Sequence, residues 1–212
     1  MKKGNLIIIC SPSGGGKGTL IKEVLKIVPN IGYSVSFTTR EMRVGEENGR
    51  DYFFVSREKF ESLIDKGEFL EFAEVHGNFY GTSINQVKIK IDFGQDVILE
   101  IDVQGAKSVR GLMPEAVNIF ILPPSFEVLR NRLKARATEK LKDLDLRLRN
   151  SFVEIRHVNE FEYVIVNDDV LEATADLQSV ILAERLKRIR QTKVIQGILD
   201  SFDTSKISSL GD

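Results

Sequence analysis

Short apolar runs alternate along the chain with segments whose apolar residues recur at helical spacing. The apolar runs predict buried strands at residues 5–10, 97–101, 117–122 and 163–166. The helical spacing predicts helices at residues 17–28, 104–113, 125–137 and 170 to about 196. Strands and helices in alternation form parallel sheets with right-handed crossovers. The predicted fold is therefore α/β, with a doubly wound parallel sheet.

Two segments depart from this alternation. Residues 34–84 are rich in aromatic residues, glycines and alternating strands, which predicts a compact α+β insertion. Residues 136–149 are dense in charge and poor in aromatic residues, which predicts a mobile helical lid. We expect one domain over residues 1–212, with its core at 1–33, 85–135 and 150–212.

Composition narrows the class of partner. The 30 basic and 31 acidic residues nearly cancel, so the chain lacks the overall charge expected of a nucleic-acid-binding or membrane-surface protein. A single cysteine excludes an intrachain disulfide framework. No apolar stretch is long enough to span a bilayer, and the first residues show no cleavage-like region. We expect a cytoplasmic protein without nucleic-acid or membrane partners, and the oligomeric state stays open.

The strongest chemical signal is a glycine-rich run between the first predicted strand and helix. It reads Ser11, Pro12, Ser13, Gly14, Gly15, Gly16, Lys17, Gly18, Thr19. Consecutive glycines let backbone N–H groups point inward, and a helix N-terminus and a lysine ammonium complete a phosphate cradle. The run departs from the Walker A pattern, because Ser11 replaces the first glycine and Gly18 replaces the hydroxyl residue that reaches magnesium. The alternative is a glycine-rich turn without a ligand.

The insertion carries a second and more specific pattern. Residues 34–56 read S-x-S-x-T-T-R-x-x-R-x-G-E-x-N-G-x-D-Y-x-F-V-S, which resembles the monophosphate-binding region of guanylate kinases. Further blocks agree at Glu71 with residues 77–82, at residues 98–105 and at residues 164–168. Together with the glycine-rich run, these blocks occur in the family's order and cover nearly the whole chain.

The resemblance implies an enzyme that transfers the terminal phosphoryl group of ATP to GMP, giving ADP and GDP, with Mg²⁺. The glycine-rich run then binds the ATP phosphates, and Asn167 resembles the residue that contacts adenine. The acceptor is already a phosphate anion, so the reaction requires positioning and charge neutralisation rather than a general base. His76 and His157 are accordingly interpreted as structural or surface residues.

The resemblance also assigns the acceptor site. The residues implied to hold the GMP phosphate are Arg40, Arg43, Tyr52 and Tyr80, and those implied to recognise guanine are Ser36, Glu71 and Thr82. Glu100 and Asp102 lie two residues apart at the end of a strand, on one face. They either orient water on Mg²⁺ or contact the acceptor nucleoside. The alternatives are solvated loop charges for the two arginines and the solvent side of a hairpin for Glu71. Glu41 and Met42 lie where many relatives have a proline, which predicts a less rigid loop.

The same resemblance implies a set of catalytic cations. They are Lys17, Arg132, Arg136 and Arg147, whereas Arg130, Lys134, Lys140, Lys142 and Arg149 are interpreted as solvated helix faces. Ala137 replaces a glycine that usually follows the second lid arginine. Because Gly18 lacks a hydroxyl, we expect Mg²⁺ to be held mainly by ATP and water, with Thr19 as a possible ligand. Two other functions remain as alternatives: a non-catalytic guanylate-kinase-like interaction module, and a P-loop kinase for another acceptor.

Overall fold

The computed structural model describes residues 3–75, 77–135 and 141–202, and it contains two sheets. The strands are β1 (Leu6–Cys10), β2 (Ile31–Tyr33), β3 (Phe37–Thr38), β4 (Phe53–Phe54), β5 (Phe69–Val75), β6 (Asn78–Ser83), β7 (Asp96–Glu100), β8 (Val117–Leu122) and β9 (Tyr163–Val166). The α-helices are α1 (Lys17–Ile27), α2 (Arg57–Asp65), α3 (Ile84–Asp92), α4 (Val103–Leu112), α5 (Phe126–Ala135), α6 (Leu141–Glu154), α7 (Val170–Leu186) and α8 (Thr192–Ser201). Two 3₁₀ helices, Ile155–Glu160 and Arg188–Gln191, follow α6 and α7.

The main sheet is parallel, with strand order β2-β7-β1-β8-β9. Helices cover both faces, so every residue of the central strand β1 is buried. One core cluster includes Ile7 with residues of α1 and α7, and the other includes Ile8 with residues of α3 and α4. The doubly wound parallel sheet predicted from the apolar runs is confirmed. A strand buried on both faces reads as a continuous apolar run, which explains why β1 was recognisable.

The second sheet is built from the insertion and has the strand order β4-β3-β6-β5. Its β3–β4 pair is parallel, while the β3–β6 and β5–β6 pairs are antiparallel. Stacked aromatic rings join this sheet to α2, with ring centroids 4.5 Å apart for Phe60 and Phe69 and 5.2 Å apart for Phe60 and Phe79. A Cβ at Gly81 would lie 2.9 Å from Phe60 Cζ, so a glycine lets the ring approach the strand. The predicted α+β insertion thus has its own aromatic core.

The last predicted helix differs from the observed structure. The prediction of one helix from 170 to about 196 is wrong, because α7 ends at Leu186 and the chain becomes extended at Lys187, with ψ 133°. Arg185 fixes this end of α7 to the main sheet by donating from Nε to Asp96 Oδ2 at 2.7 Å and from Nη2 to the Pro29 carbonyl at 2.7 Å. These long-range bonds have no local sequence signal. Beyond the break, every residue of α8 is exposed.

The predicted lid lies partly outside the described residues. Residues 136–140, which include Arg136, Ala137 and Lys140, are not described. The rest of that segment belongs to α6, which continues past residue 149 to Glu154. His76 also lies outside the described residues. None of the described helices combines the length and the apolar character needed to cross a membrane.

Candidate active site

The glycine-rich run joins β1 to α1 as a curled loop, here called the phosphate loop (residues 11–19). Gly14 and Gly16 have φ values of 85° and 89°, in the left-handed region that side chains disfavour. The N–H of Gly15 donates to the Pro12 carbonyl at 2.9 Å and closes the turn. In the described chain no side chain caps the first turn of α1 at Gly16. The loop therefore presents the helix N-terminus as an anion-binding surface.

One side of the phosphate loop rests on the residues that follow β9. Asn167 Nδ2 donates to the Gly15 carbonyl at 2.9 Å, and Arg132 Nη2 donates to the Asn167 carbonyl at 2.9 Å. Asn167 Oδ1 and Arg132 Nη1 are buried without a hydrogen-bond partner among the described residues. Both unsatisfied groups lie beside the loop, where a bound ligand can satisfy them. The predicted contact of Asn167 with adenine stays a prediction, since its amide nitrogen is engaged with the loop.

The other side of the phosphate loop contacts α6. Glu154 Oε2 accepts a hydrogen bond from the Ser13 N–H at 3.0 Å, and Ser151 Oγ lies 3.2 Å from the Ser13 carbonyl oxygen. Burial raises the pKa of Glu154 above its usual range. Neither Glu154 nor Ser151 was among the residues predicted from the sequence. A contact across about 140 residues leaves no local pattern to recognise.

Lys17 extends from the phosphate loop toward the carboxyl end of β7. Its Nζ donates to the Ile101 carbonyl at 3.2 Å and lies 3.9 Å from Glu100 Oε1. Glu100 Oε2 in turn accepts a hydrogen bond from the Tyr33 hydroxyl at 3.3 Å. The structure thus brings Lys17 and Glu100 together at the sheet edge where the sequence placed Glu100. Asp102 caps α4, accepting from the Gly105 N–H at 2.7 Å.

A cleft of about 430 Å³ opens between this sheet edge and the second sheet. Most of the predicted acceptor-site residues line it, namely Ser36, Tyr52, Glu71, Tyr80, Glu100 and Asp102. Five further lining residues were not predicted from the sequence: Tyr33, Glu46, Asp51, Ala73 and Ile101. Glu46 and Asp51 do occur within the recognised motif, so their motif positions were the available signal. Most of the lining residues are polar, and the volume falls within the range of small-molecule sites.

Glu71 lies in this cleft, joined to the neighbouring strand by a short hydrogen bond. The Thr82 hydroxyl donates to Glu71 Oε1 at 2.6 Å, and burial raises the pKa of Glu71 above its usual range. A Cβ at Gly105 would lie 3.3 Å from Glu71 Oε2, so the glycine leaves room for the carboxylate. Glu71 lines the cleft rather than the solvent side of a hairpin. Its carboxylate can accept two parallel hydrogen bonds from a planar ligand edge.

The two predicted phosphate-binding arginines lie in different environments. Arg40 Nη2 donates to both oxygens of Glu46, at 2.7 and 3.0 Å, and its guanidinium lies 5.4 Å from the centre of the Tyr52 ring. The bond from Arg40 lowers the pKa of Glu46. Arg43 donates to Glu46 through its backbone N–H, at 2.8 Å, and is itself exposed. An anionic ligand at Arg40 must therefore share this guanidinium with Glu46.

The remaining predicted residues are the two lid arginines and Thr19. Arg147 is half-buried on α6, while Arg136 lies outside the described residues. Thr19 is exposed on the first turn of α1, and a Cβ at Gly18 would lie 3.8 Å from Glu100 Oε1. Within the ranges that the structure describes, no three His, Cys, Asp or Glu side chains are grouped to hold a metal ion.

Comparisons with known proteins agree on one family. A family model described as guanylate kinase matches residues 3–184. The chain is 49% identical over 183 residues to the guanylate kinase of Dechloromonas aromatica, covering 86% of this chain and 91% of the relative. It is 50% identical over 200 residues to that of Neisseria gonorrhoeae, covering 94% and 98%. A crystal structure of guanylate kinase from Anaplasma phagocytophilum superimposes with a TM-score of 0.71 at 38% identity, covering 90% of each chain. The chain belongs to the guanylate kinase family.

Proposed function

We infer that this chain transfers the terminal phosphoryl group of ATP to GMP, giving ADP and GDP, as an enzyme of purine nucleotide metabolism. The observation that carries this conclusion is the placement of two candidate sites on opposite sides of one cleft. The phosphate loop and Lys17 lie on one side, and the Glu71–Thr82 pair lies across the cleft. Membership of the guanylate kinase family supports the same activity.

On the donor side, residues 11–19 bind the ATP phosphates. The unsatisfied Arg132 Nη1 and Asn167 Oδ1 support this assignment, because a ligand beside the loop satisfies both groups. Lys17 carries the ammonium that contacts the phosphates, and it exchanges its contact with the Ile101 carbonyl for them. A phosphate oxygen is the stronger acceptor, since the bond is charge-assisted on both partners.

On the acceptor side, Arg40, Arg43, Tyr52 and Tyr80 bind the GMP phosphate. Tyr52 and Tyr80 have ring centroids 5.8 Å apart beside the Arg40 guanidinium, which supports a common phosphate position for the three. Guanidinium forks and phenol hydroxyls are both matched to phosphate oxygens. Glu46 holds Arg40 in this position and shares it with the incoming phosphate.

Glu71 selects guanine. Guanine presents N1–H and an exocyclic amine on one edge, and the two oxygens of an ionised carboxylate accept from both. Thr82 and Ser36 supply hydroxyls beside it. Adenine lacks N1–H and leaves the half-buried carboxylate with Thr82 but without a donor from the base, a mismatch that polar sites reject by a factor on the order of 10⁴. The donors of guanine favour the ionised form of Glu71, which burial alone disfavours.

Phosphoryl transfer at this site depends on position and charge rather than on a general base. We propose that Lys17, Arg132, Arg136 and Arg147 stabilise the charge of the transferring group. Mg²⁺ bound with ATP supplies further charge neutralisation, and the carboxylates of Glu100 and Asp102, at the edge that faces the loop, fit an outer-shell role through water. Gly18 lacks the hydroxyl that would reach Mg²⁺, and Thr19, the next residue, carries the hydroxyl nearest to that position in sequence. A cytoplasmic location is proposed, consistent with a single buried cysteine.

A coupled ADP-release assay that compares GMP with AMP, CMP and UMP tests the function. We expect GMP to exceed the other acceptors by several orders of magnitude in kcat/KM. Rates with GMP no higher than those with the other acceptors would contradict the inferred GMP specificity, and binding of neither ATP nor GMP in calorimetry would favour the interaction module instead.

Two variants test the assignment of the base-reading residue. Glu71→Gln replaces one acceptor oxygen by a donor, so we expect a loss of GMP preference by a factor of about 10² or more. Glu74→Gln is the matched control, because Glu74 is exposed on the same strand. If both variants keep the GMP preference of the wild type, Glu71 does not read the base.

A further inference from the structure

Helix α6 contacts both backbone polar groups of one phosphate-loop residue, Ser13. The carboxylate of Glu154 accepts from the Ser13 N–H at 3.0 Å, and the Ser151 hydroxyl lies 3.2 Å from the Ser13 carbonyl oxygen. Ser151 Oγ also lies 2.8 Å from the Arg147 carbonyl oxygen of its own helix. Ser13 is thereby connected to two side chains of α6 that are 138 and 141 residues away in sequence.

The Glu154 contact is costly to build, which argues against an incidental bond. Burial raises the pKa of Glu154, so the site disfavours the charged carboxylate that gives the strongest bond to Ser13. Glu154 is half-buried, and Ser151 is buried, with 4% of its surface exposed. Polar groups are retained at such positions only where their hydrogen bonds compensate for lost hydration.

The three residues occupy one face of α6. Arg147, Ser151 and Glu154 are spaced i, i+4 and i+7, the spacing at which side chains align along a helix. At a rise of about 1.5 Å per residue, Arg147 lies roughly 10 Å along the helix from the Glu154 contact. The same helix face thus carries both the attachment to the phosphate loop and the arginine assigned to the transferring phosphoryl group.

We propose that Glu154 is a positioning residue for phosphoryl transfer, which fixes α6, and with it Arg147, relative to the phosphate loop. The proposal rests on the function inferred above, because the position of Arg147 matters only if ATP occupies the loop. Without the Glu154 bond, the helix keeps only the Ser151 contact at Ser13, and Arg147 is held less firmly in alignment with the phosphates. Misplacement by about 1 Å costs up to a hundredfold in rate.

Steady-state kinetics of the full chain test the proposal, with ATP and GMP varied in turn. For Glu154→Ala we expect kcat to fall by about tenfold to a hundredfold, with the KM for GMP within about twofold of the wild type. For Glu154→Gln we expect kcat within about threefold of the wild type, because the amide oxygen accepts from the same N–H. Asp145→Ala is the matched control, since it removes an exposed carboxylate from the same helix and should keep the wild-type kcat.

A double-mutant cycle asks whether Glu154 acts through Arg147. We expect Glu154→Ala to add less than about threefold to the loss already caused by Arg147→Ala, because both changes remove one effect. Multiplicative losses, or an Arg147→Ala variant with normal turnover, would overturn the proposal. A Glu154→Gln variant as slow as Glu154→Ala would also overturn it. So would a Glu154→Ala variant whose loss of activity equals the fraction of unfolded protein measured by circular dichroism. Failure of the inferred function can be distinguished from failure of this proposal, because the wild type itself would then show no GMP-dependent ADP release.

Discussion

Gly16→Ala tests whether the phosphate loop depends on close contact with the end of β9. Gly16 has a φ of 89°, and a Cβ built on its backbone lies 2.1 Å from Asn167 Nδ2. No heavy atoms approach so closely without a bond. The alanine variant must therefore move the loop or displace the Asn167 side chain from the Gly15 carbonyl.

Two energetic costs determine how far Gly16→Ala should lower the free energy of unfolding. Placing an L-residue in the left-handed region costs about 1–2 kcal/mol. Breaking the buried bond from Asn167 to Gly15 leaves polar groups unsatisfied and costs about 1–3 kcal/mol. The sum is a loss of about 2–5 kcal/mol in the free energy of unfolding, which lowers Tm by roughly 4–20 °C in a chain of this size. The distorted loop should also raise the KM for ATP.

Thermal unfolding followed by circular dichroism, together with ATP titrations, measures both effects. Gly111→Ala is the matched control, because a Cβ there meets nothing within 4 Å and the residue lies in α4. The helix propensity of alanine should stabilise that variant by up to about 1 kcal/mol. A Gly16→Ala variant with the Tm and the ATP KM of the wild type would refute the reasoning.

Two further predictions concern the core. Arg185→Ala should lower the free energy of unfolding by about 3–5 kcal/mol in urea titrations, because it leaves the Asp96 carboxylate, 3% exposed, without its cation. The control Arg149→Ala, at an exposed ion pair, should change that free energy by less than about 1 kcal/mol. Equal effects of the two variants would contradict a stabilising role for the Arg185–Asp96 pair. Burial raises the pKa of Cys10 from 9.0 to about 12, so the folded chain keeps a proton that the unfolded chain releases. The free energy of unfolding should therefore decrease as the pH rises from 9 to 12. At pH 8, Cys10 should resist a thiol reagent until urea unfolds the chain. Rapid labelling of the folded protein would contradict this expectation, because it would show that the thiol is accessible.

The sequence by itself determined the main sheet and the chemistry of its loop. Strands buried on both faces require continuous apolar residues, so β1, β7 and β8 were recognisable without any knowledge of their neighbours. The edge strand β9 is equally apolar in sequence, although Val164 and Val166 are half-exposed. The glycines of the phosphate loop and the motif around Arg40 were equally readable, because turn geometry and phosphate binding restrict residue types at fixed spacings. By contrast, β2 has three residues and left no clear pattern.

Only the tertiary structure decided which of these groups meet. Glu154 reaches Ser13, Asn167 lies against Gly16, and Arg185 stops α7 at the main sheet. Each is a contact between residues distant in sequence, and its partners are set by how the helices pack on the two sheets rather than by local spacing. Hydrophobic periodicity reports which face of an element is buried, but not which residue of another element it touches. Residue types therefore specified the chemistry of the site, and packing specified its geometry.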